Sequence, residues 1–329
     1  MAKKVLSLFI SALLIIMSAV FMTVGAVSSE SDYQYSVENG SVRIVKYTGS
    51  DARVEIPAEI GGYPVKIIGD GSFRFNTSVR EVIIPKGVET VETRAFDYCT
   101  KLETVNLPEG VVYLGEFVFN SCISLGAIAL PDSVASMGSC TFAGCTALKE
   151  VKLPALLGRI PISTFSGCKS LETVIIPEGY TSVEAGAFGN CISLREIEIP
   201  EGVVSIGKNA FNGCTSLVRI VIPESVTSIG VPAFRDSSPI LAGAEGSYCQ
   251  QYAEENGMGF EILEKSDAVN KGDLDGDGRV NGLDSNILMR AIAGSIELSQ
   301  NGKAAADIDG DGNIAIIDSN LLKRMLAGV

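Results

Sequence analysis

The stretch "LETVNLPEGVVYLGEFVFNSCIS", residues 102–124, reads as one complete coil of a repeating structure. Leu102, Val105 and Leu107 predict a short strand with its aliphatic side chains turned inward, Pro108 ends that strand at a turn, and Phe119 fills the far side of the coil. The same pattern recurs in both directions. Phenylalanine returns every 23 residues at Phe73, Phe96, Phe119, Phe142, Phe165, Phe188, Phe211 and Phe234. Pro85, Pro108, Pro131, Pro154, Pro177, Pro200 and Pro223 keep the same step, as do Leu102, Leu125, Leu148, Leu171, Leu194 and Leu217. A fixed period of this size predicts a solenoid, in which each coil buries its apolar face only against its neighbours. Strands stacked about 4.8 Å apart would give a parallel sheet along one face of a rod on the order of 40 Å long.

Composition agrees with a folded, two-part chain. An apolar fraction of 46% supports a substantial core, and 329 residues leave room for a second domain. The N-terminus "MAKKVLSLFISALLIIMSAVFMTVGA" has two lysines, an apolar run from Val5, and small residues at Val24-Gly25-Ala26, which predicts a signal peptide cleaved after Ala26. The competing reading is an uncleaved membrane anchor, because Val5 to Val24 is about long enough to span a bilayer. Cleavage removes Lys3 and Lys4 and takes the formal charge from -13 to -15. Such an acidic chain is a poor partner for nucleic acid or anionic lipid, and no stable membrane insertion is expected after cleavage. The sequence contains no histidine, so Ser-His-Asp and Cys-His catalysis and His-ligated zinc are excluded together.

The repeat resembles the bacterial leucine-rich repeats of the BspA type, whose "IP..V..IG..AF..C" signature appears here as "IPEGVVSIGKNAFNGCTSL" at 199–217. "YQYSVENGSVRIVKYTGS" is similar to the hairpin that opens such arrays, with Asn39-Gly40 at its turn, and "AGAEGSYCQQYAEENGMGFEIL" to the closing cap. The first coil departs by a five-residue insertion, Gly61 to Val65. The expected organisation is a leader at 1–26, a hairpin cap at 27–52, leucine-rich repeats at 53–238, a closing cap at 239–264, a linker at 265–271 and a further domain at 272–329.

Eight cysteines in a secreted protein suggest a disulfide framework. Yet Cys99, Cys122, Cys145, Cys168, Cys191 and Cys214 each follow a repeat phenylalanine by three residues. Neighbouring rungs of one ladder do not turn their Cβ vectors toward each other, so buried free thiols are expected, with Cys140 and Cys249 off the ladder. Between the inward residues of successive strands lies one outward residue: Ile83, Asn106, Ala129, Lys152, Ile175, Glu198 and Val221. That row is either a binding surface or an ordinary sheet face built of strand-favouring residues.

The C-terminal segment changes character. In "GDLDGDGRVNGLDSN", residues 272–286, the EF-hand ligand positions fall on Asp273, Asp275, Asp277, the Arg279 carbonyl, Asn281 and Asp284, with Gly278 at the sharp turn. A second copy starts 34 residues later with Asp307, Asp309, Asp311, the Asn313 carbonyl and Asp318, and has Ala315 at its ninth position, so weaker binding is expected there. Two calcium ions are predicted. Without metal, several carboxylates held within a few ångströms oppose a compact loop, so the segment should tighten on binding calcium.

Two such loops, each followed by one helix, resemble a type I dockerin, on the motifs "GDLDGDGRVNGLDSNILMR" and "DIDGDGNIAIIDSNLLKR". The resemblance implies a small all-α calcium-binding domain that docks on a cohesin module of a scaffoldin in a cellulosome. It implies cohesin contacts at Gly282 and Leu283, Ile316 and Ile317, Met289 and Arg290, and Lys323 and Arg324; for Ile316 and Ile317 packing inside the domain is the competing reading. The expected whole is a secreted, non-catalytic protein whose repeat presents a surface to a protein or polysaccharide. The alternatives are a dockerin-borne hydrolase of plant polysaccharide, which would need paired carboxylates in a concave site, and a calcium-stapled adhesin.

Overall fold

The computed structural model describes residues 29–263 and, beyond them, residues 272, 274, 280, 282–292, 298, 303, 305, 306, 308, 313, 314, 321–323 and 326. The expected leader and the whole of the expected linker lie outside the described residues. Residues 53–242 form a stacked series of coils, each with three walls. The first wall is the strand that the alternation of Leu102, Val105 and Leu107 predicts. Thr104–Asn106 turns Val105 inward and pairs in parallel with Glu81–Ile83, Val82 standing opposite Val105. Equivalent strands follow at Glu150–Lys152, Thr173–Ile175, Glu196–Glu198 and Arg219–Val221, each a 23-residue step along.

The second wall is a two-residue strand that the periodicity did not single out. Thr90–Val91, Tyr113–Leu114, Ser136–Met137, Arg159–Ile160, Ser182–Val183, Ser205–Ile206 and Ser228–Ile229 stack in parallel, each with its aliphatic second residue buried. The third wall contains no strand. Around each core phenylalanine the backbone alternates hand, and three N–H groups per coil donate into the next coil. Arg94 donates to the Glu116 carbonyl at 2.8 Å, Phe96 to Val118 at 2.9 Å and Tyr98 to Asn120 at 2.8 Å. All three walls therefore satisfy their backbone between coils, which a chain with a buried centre must do.

The centre is a stack of rings. From Phe96 to Phe234 consecutive centroids lie 5.4–5.6 Å apart. The stack continues through Phe73 and Tyr47 to Tyr33 at one end and reaches Tyr252 at the other. Tyr33 and Tyr47 belong to an antiparallel hairpin, Tyr33–Glu38 with Ser41–Tyr47, turned at Asn39 and Gly40 with φ of 51° and 74°. Tyr252 lies on helix α1, Tyr248–Glu255, which Ser247 caps. The inserted residues of the first coil make a second tight hairpin, Glu59–Ile60 against Tyr63–Ile68, with Gly61 and Gly62 at positive φ.

The six ladder cysteines are fully buried and free. Each thiol donates to the carbonyl of the phenylalanine one coil back, Cys145 to Phe119 at 3.1 Å and Cys168 to Phe142 at 3.1 Å. Ser237 occupies the same rung in the last coil and makes the same bond, to Phe211 at 3.0 Å. Burial pushes the thiols of Cys99, Cys168 and Cys214 up to about 12. Off the ladder, Cys249 is buried and Cys140 half-buried, and both are free.

The strand pairing is interrupted in both strand walls, and in the first wall Thr173–Ile175 belongs to a different sheet from Glu196–Glu198. In the coil that follows Asn106, a single bridge to Ala129 replaces the three-residue strand. One coil later Arg159–Ile160 does not pair with Ser136–Met137. There Pro161 stands where Gly138 donates its N–H to Leu114 at 2.9 Å and Glu184 to Ile160 at 2.9 Å, and proline has no N–H to give.

Candidate functional site

The outward residues of the first wall stand opposite one another within three paired runs. Ile83 stands opposite Asn106, Asn106 opposite Ala129, Lys152 opposite Ile175, and Glu198 opposite Val221. The row is not a continuous apolar stripe. Asn106, Ala129, Lys152 and Glu198 are exposed, whereas Ile83, Ile175 and Val221 are half-buried between their neighbours.

Ion pairs run along the same wall: Arg53 with Glu81 at 3.1 Å, Arg80 with Glu103, and Arg219 with Glu261 at 2.9 Å. The Arg219 hydrogen bond holds the Glu261 carboxyl below its ordinary value. Glu81, Glu103 and Glu261 are thus paired with arginines along the wall, as on a solvated charged face. A cleft of about 270 Å³ lies where the last coil meets helix α1, lined by Phe234, Arg235, Tyr252 and Met258 among others, and no carboxylate lines it.

In the C-terminal segment the described residues pack by the same 34-residue step as the loops. Leu274, Leu288, Ala306 and Leu322 are buried, with Val280, Ile287, Ile292, Leu298, Ile308, Ile314 and Leu326 packed against them. Leu274 pairs by position with Ile308, Val280 with Ile314, Leu288 with Leu322 and Ile292 with Leu326, so one small core draws the same positions from both copies. The Gly272 N–H donates to the Ala305 carbonyl at 2.9 Å, tying the first loop to the second half. Helix α2, Gly282–Ile292, follows the first loop.

Asp284, the twelfth residue of that loop, is fully buried, and its Oδ1 accepts the Leu274 N–H at 2.8 Å. This bond joins the end of the loop to its beginning. Gly282 and Leu283 form the start of helix α2, and Arg290 lies on it; Met289 is exposed at 43%, and Lys323 and Asn313 are exposed. Asp273, Asp275, Asp277, Arg279, Asn281, Asp307, Asp309, Asp311, Asp318, Ile316, Ile317 and Arg324 lie outside the described residues.

One feature of the third wall escaped the sequence reading. The residue two after each core phenylalanine is left-handed in every coil, with φ of 57–76°: Phe75, Tyr98, Ser121, Gly144, Gly167, Asn190, Gly213 and Asp236. Glycine and asparagine suit that conformation, while a bulky residue there is an outlier that costs about 1–2 kcal/mol. Comparing that column across the coils would have singled out Phe75 and Tyr98.

Six copies of the BspA type Leucine rich repeat region match within residues 66–195 and 148–242, more than half of the chain, and the Dockerin type I domain matches residues 271–327. The solved leucine-rich repeat protein of T. pallidum is 30% identical with a TM-score of 0.54, over 58% of this chain and 90% of that one. A leucine-rich cell surface protein of Faecalibacterium prausnitzii A2-165 is 27% identical with a TM-score of 0.49, over 68% of this chain and 77% of that one. No curated protein matches the chain. Among the described residues no helix is long and apolar enough to cross a membrane. Both matched regions are of non-catalytic kinds typical of extracellular or cell-surface proteins, and type I dockerins generally bind calcium and take a cohesin as partner. By that match the chain belongs to the BspA-type leucine-rich repeat family, and it ends in a type I dockerin domain.

Proposed function

We propose that this is a secreted, non-catalytic component of a cellulosome, in which the terminal domain docks on a scaffoldin cohesin and the solenoid presents its outward strand row to a protein or a polysaccharide. The observation that carries the docking half is the burial of Asp284. A carboxylate removed from water needs donors or counter-charge around it, and the Leu274 N–H, donating to Asp284 at 2.8 Å, joins the end of the loop to its beginning, the closure a cation-binding loop requires. The donors at the ligand positions are all oxygen, the set a hard divalent cation takes.

Calcium fits. Asp273, Asp275, Asp277, the Arg279 carbonyl, Asn281 and Asp284 would hold one ion, and Asp307, Asp309, Asp311, the Asn313 carbonyl and Asp318 a second. The bound ions supply the positive charge that lets the loops close, and the shared core of Leu274, Leu288, Ala306 and Leu322 then sets the two helical faces. The cohesin would meet Gly282, Leu283, Met289, Arg290, Ile316, Ile317, Lys323 and Arg324. Met289 and Lys323, exactly one 34-residue step apart in the sequence, are both exposed, which supports a surface drawn from both copies.

Titration calorimetry of the mature chain against a panel of cohesins tests this reading, with calcium, with chelator, and with an Asp284→Ala, Asp318→Ala double variant. Binding that needs calcium and is lost in the variant is the expected result. Calcium-dependent stability without binding to any cohesin would leave a stapled adhesin in its place.

A further inference from the structure

We infer that the third wall of the first three coils, opposite in chemistry to the charged strand row, is a docking patch for an acidic protein segment that bears an apolar side chain. Phe75 and Tyr98 stand at left-handed positions that six other coils give to serine, glycine, asparagine or aspartate, and burial does not compensate, since the two residues are 58% and 44% exposed. Strain retained without burial is a mark of a functional surface.

The patch is also held in place from beneath. The two rings lie 5.3 Å apart and tilted by 39°, and the Arg74 guanidinium sits 4.5 Å over the Phe75 ring. Arg74 is fixed by Asp97 at 2.8 Å, a carboxylate whose side chain is only 3% exposed, and Asp97 is fixed in turn by Asn120 at 2.7 Å. On the other side of the core phenylalanines, Arg94 and Phe117 are likewise left-handed, with the guanidinium 5.0 Å over the ring. Rigid phenylalanine, tyrosine and arginine side chains are the residue types that dominate binding energy at protein interfaces, because little freedom is lost when they are covered.

The occupant follows from charge and ring geometry. Among the described residues Arg94 has no carboxylate within salt-bridge distance, so in a chain of net charge -13 it is a cation without an ion pair on the same wall as the exposed Phe75 and Tyr98 rings. That complements an acidic partner. A sugar would ask for an open, flat ring face, and here the rings are tilted and an arginine covers Phe75. This reading goes beyond the strand row and does not depend on calcium or cohesin.

The test begins with a displayed random-peptide library selected on the full chain. Enriched peptides are titrated against the wild type, a Phe75→Gly, Tyr98→Gly double variant, and Arg94→Gln. The expected peptides combine Asp or Glu with Phe, Trp or Leu, lose at least about tenfold in affinity with either variant, and weaken as salt is raised. The double variant should melt no lower than the wild type, because glycine relieves the left-handed strain. Enrichment only of peptides indifferent to both variants would overturn the inference, and so would a lowered melting temperature in the double variant, which would make the rings structural. Binding of soluble xylan or cello-oligosaccharides that depends on Tyr98 would overturn it in favour of a glycan.

Discussion

The 23-residue repeat of the solenoid and the 34-residue repeat of the terminal domain bury opposite things. A solenoid coil buries Phe142, Leu148 and the Cys145 thiol, all of them neutral, and satisfies its backbone on the coil beside it. The terminal domain buries Leu288 and Leu322 as well, but also the charged end of a loop, Asp284. Apolar burial and inter-coil hydrogen bonds complete themselves from within the chain. A loop rich in aspartates that closes on a buried carboxylate is the kind that couples its folding to a cation, as proposed for this domain. On that proposal one region is a finished surface and the other a calcium-dependent connector.

Several changes would sharpen or break that contrast. The largest effect is expected from Asp284→Ala, which removes one of the proposed calcium ligands. Calcium affinity at the first loop should fall by more than the 10–100-fold typical of losing an outer-shell partner, measured by calcium titration, while the solenoid's circular dichroism stays unchanged.

Inside the solenoid, Phe142→Ala empties a fully buried ring position between Phe119 and Phe165 and should cost about 3–5 kcal/mol in urea unfolding. Calcium binding should be untouched by it.

Cys145→Ala removes one of two hydrogen bonds to the Phe119 carbonyl, which keeps the Cys122 N–H at 3.1 Å, and should cost about 0.5–1.5 kcal/mol, whereas Cys145→Ser should cost less, since Ser237 already makes the equivalent bond.

Alkaline pH acts on the same rungs with a definite sign. The thiol of Cys168 is raised from 9.0 to about 12, so its folded form keeps the proton that the unfolded chain releases. Stability is fully present below pH 9 and is lost between pH 9 and 12, on the order of 1.4 kcal/mol per pH unit for each such thiol. Urea midpoints at pH 8 and 10 should show this slope, and Cys168→Ser should flatten it by one thiol's share.

Much of this architecture could be read from spacing. Phe73 to Phe234, the prolines and the cysteine column fixed the coil, its inward strand and the unpaired thiols, because apolar period and equivalent position are properties of sequence. The second wall was hidden because two residues such as Ser205–Ile206 are too short to display a period. The left-handed steps were hidden because the sign of φ is written only where glycine or asparagine occupies it, and Phe75 and Tyr98 mask it. Pro161 was not singled out, because its consequence depends on knowing that this position donates an N–H to the coil before it. In the terminal domain spacing yields the proposed oxygen ligands, most of which lie outside the described residues, while the burial of Asp284 and its bond to Leu274 have no signature in spacing.

Differential scanning calorimetry of the mature chain, with calcium and then with chelator, tests the contrast most directly. Two transitions are expected, of which chelator lowers or abolishes the smaller, terminal one and leaves the solenoid's melting temperature in place. A solenoid transition that moves with the chelator, or a terminal one that ignores it, would contradict the account.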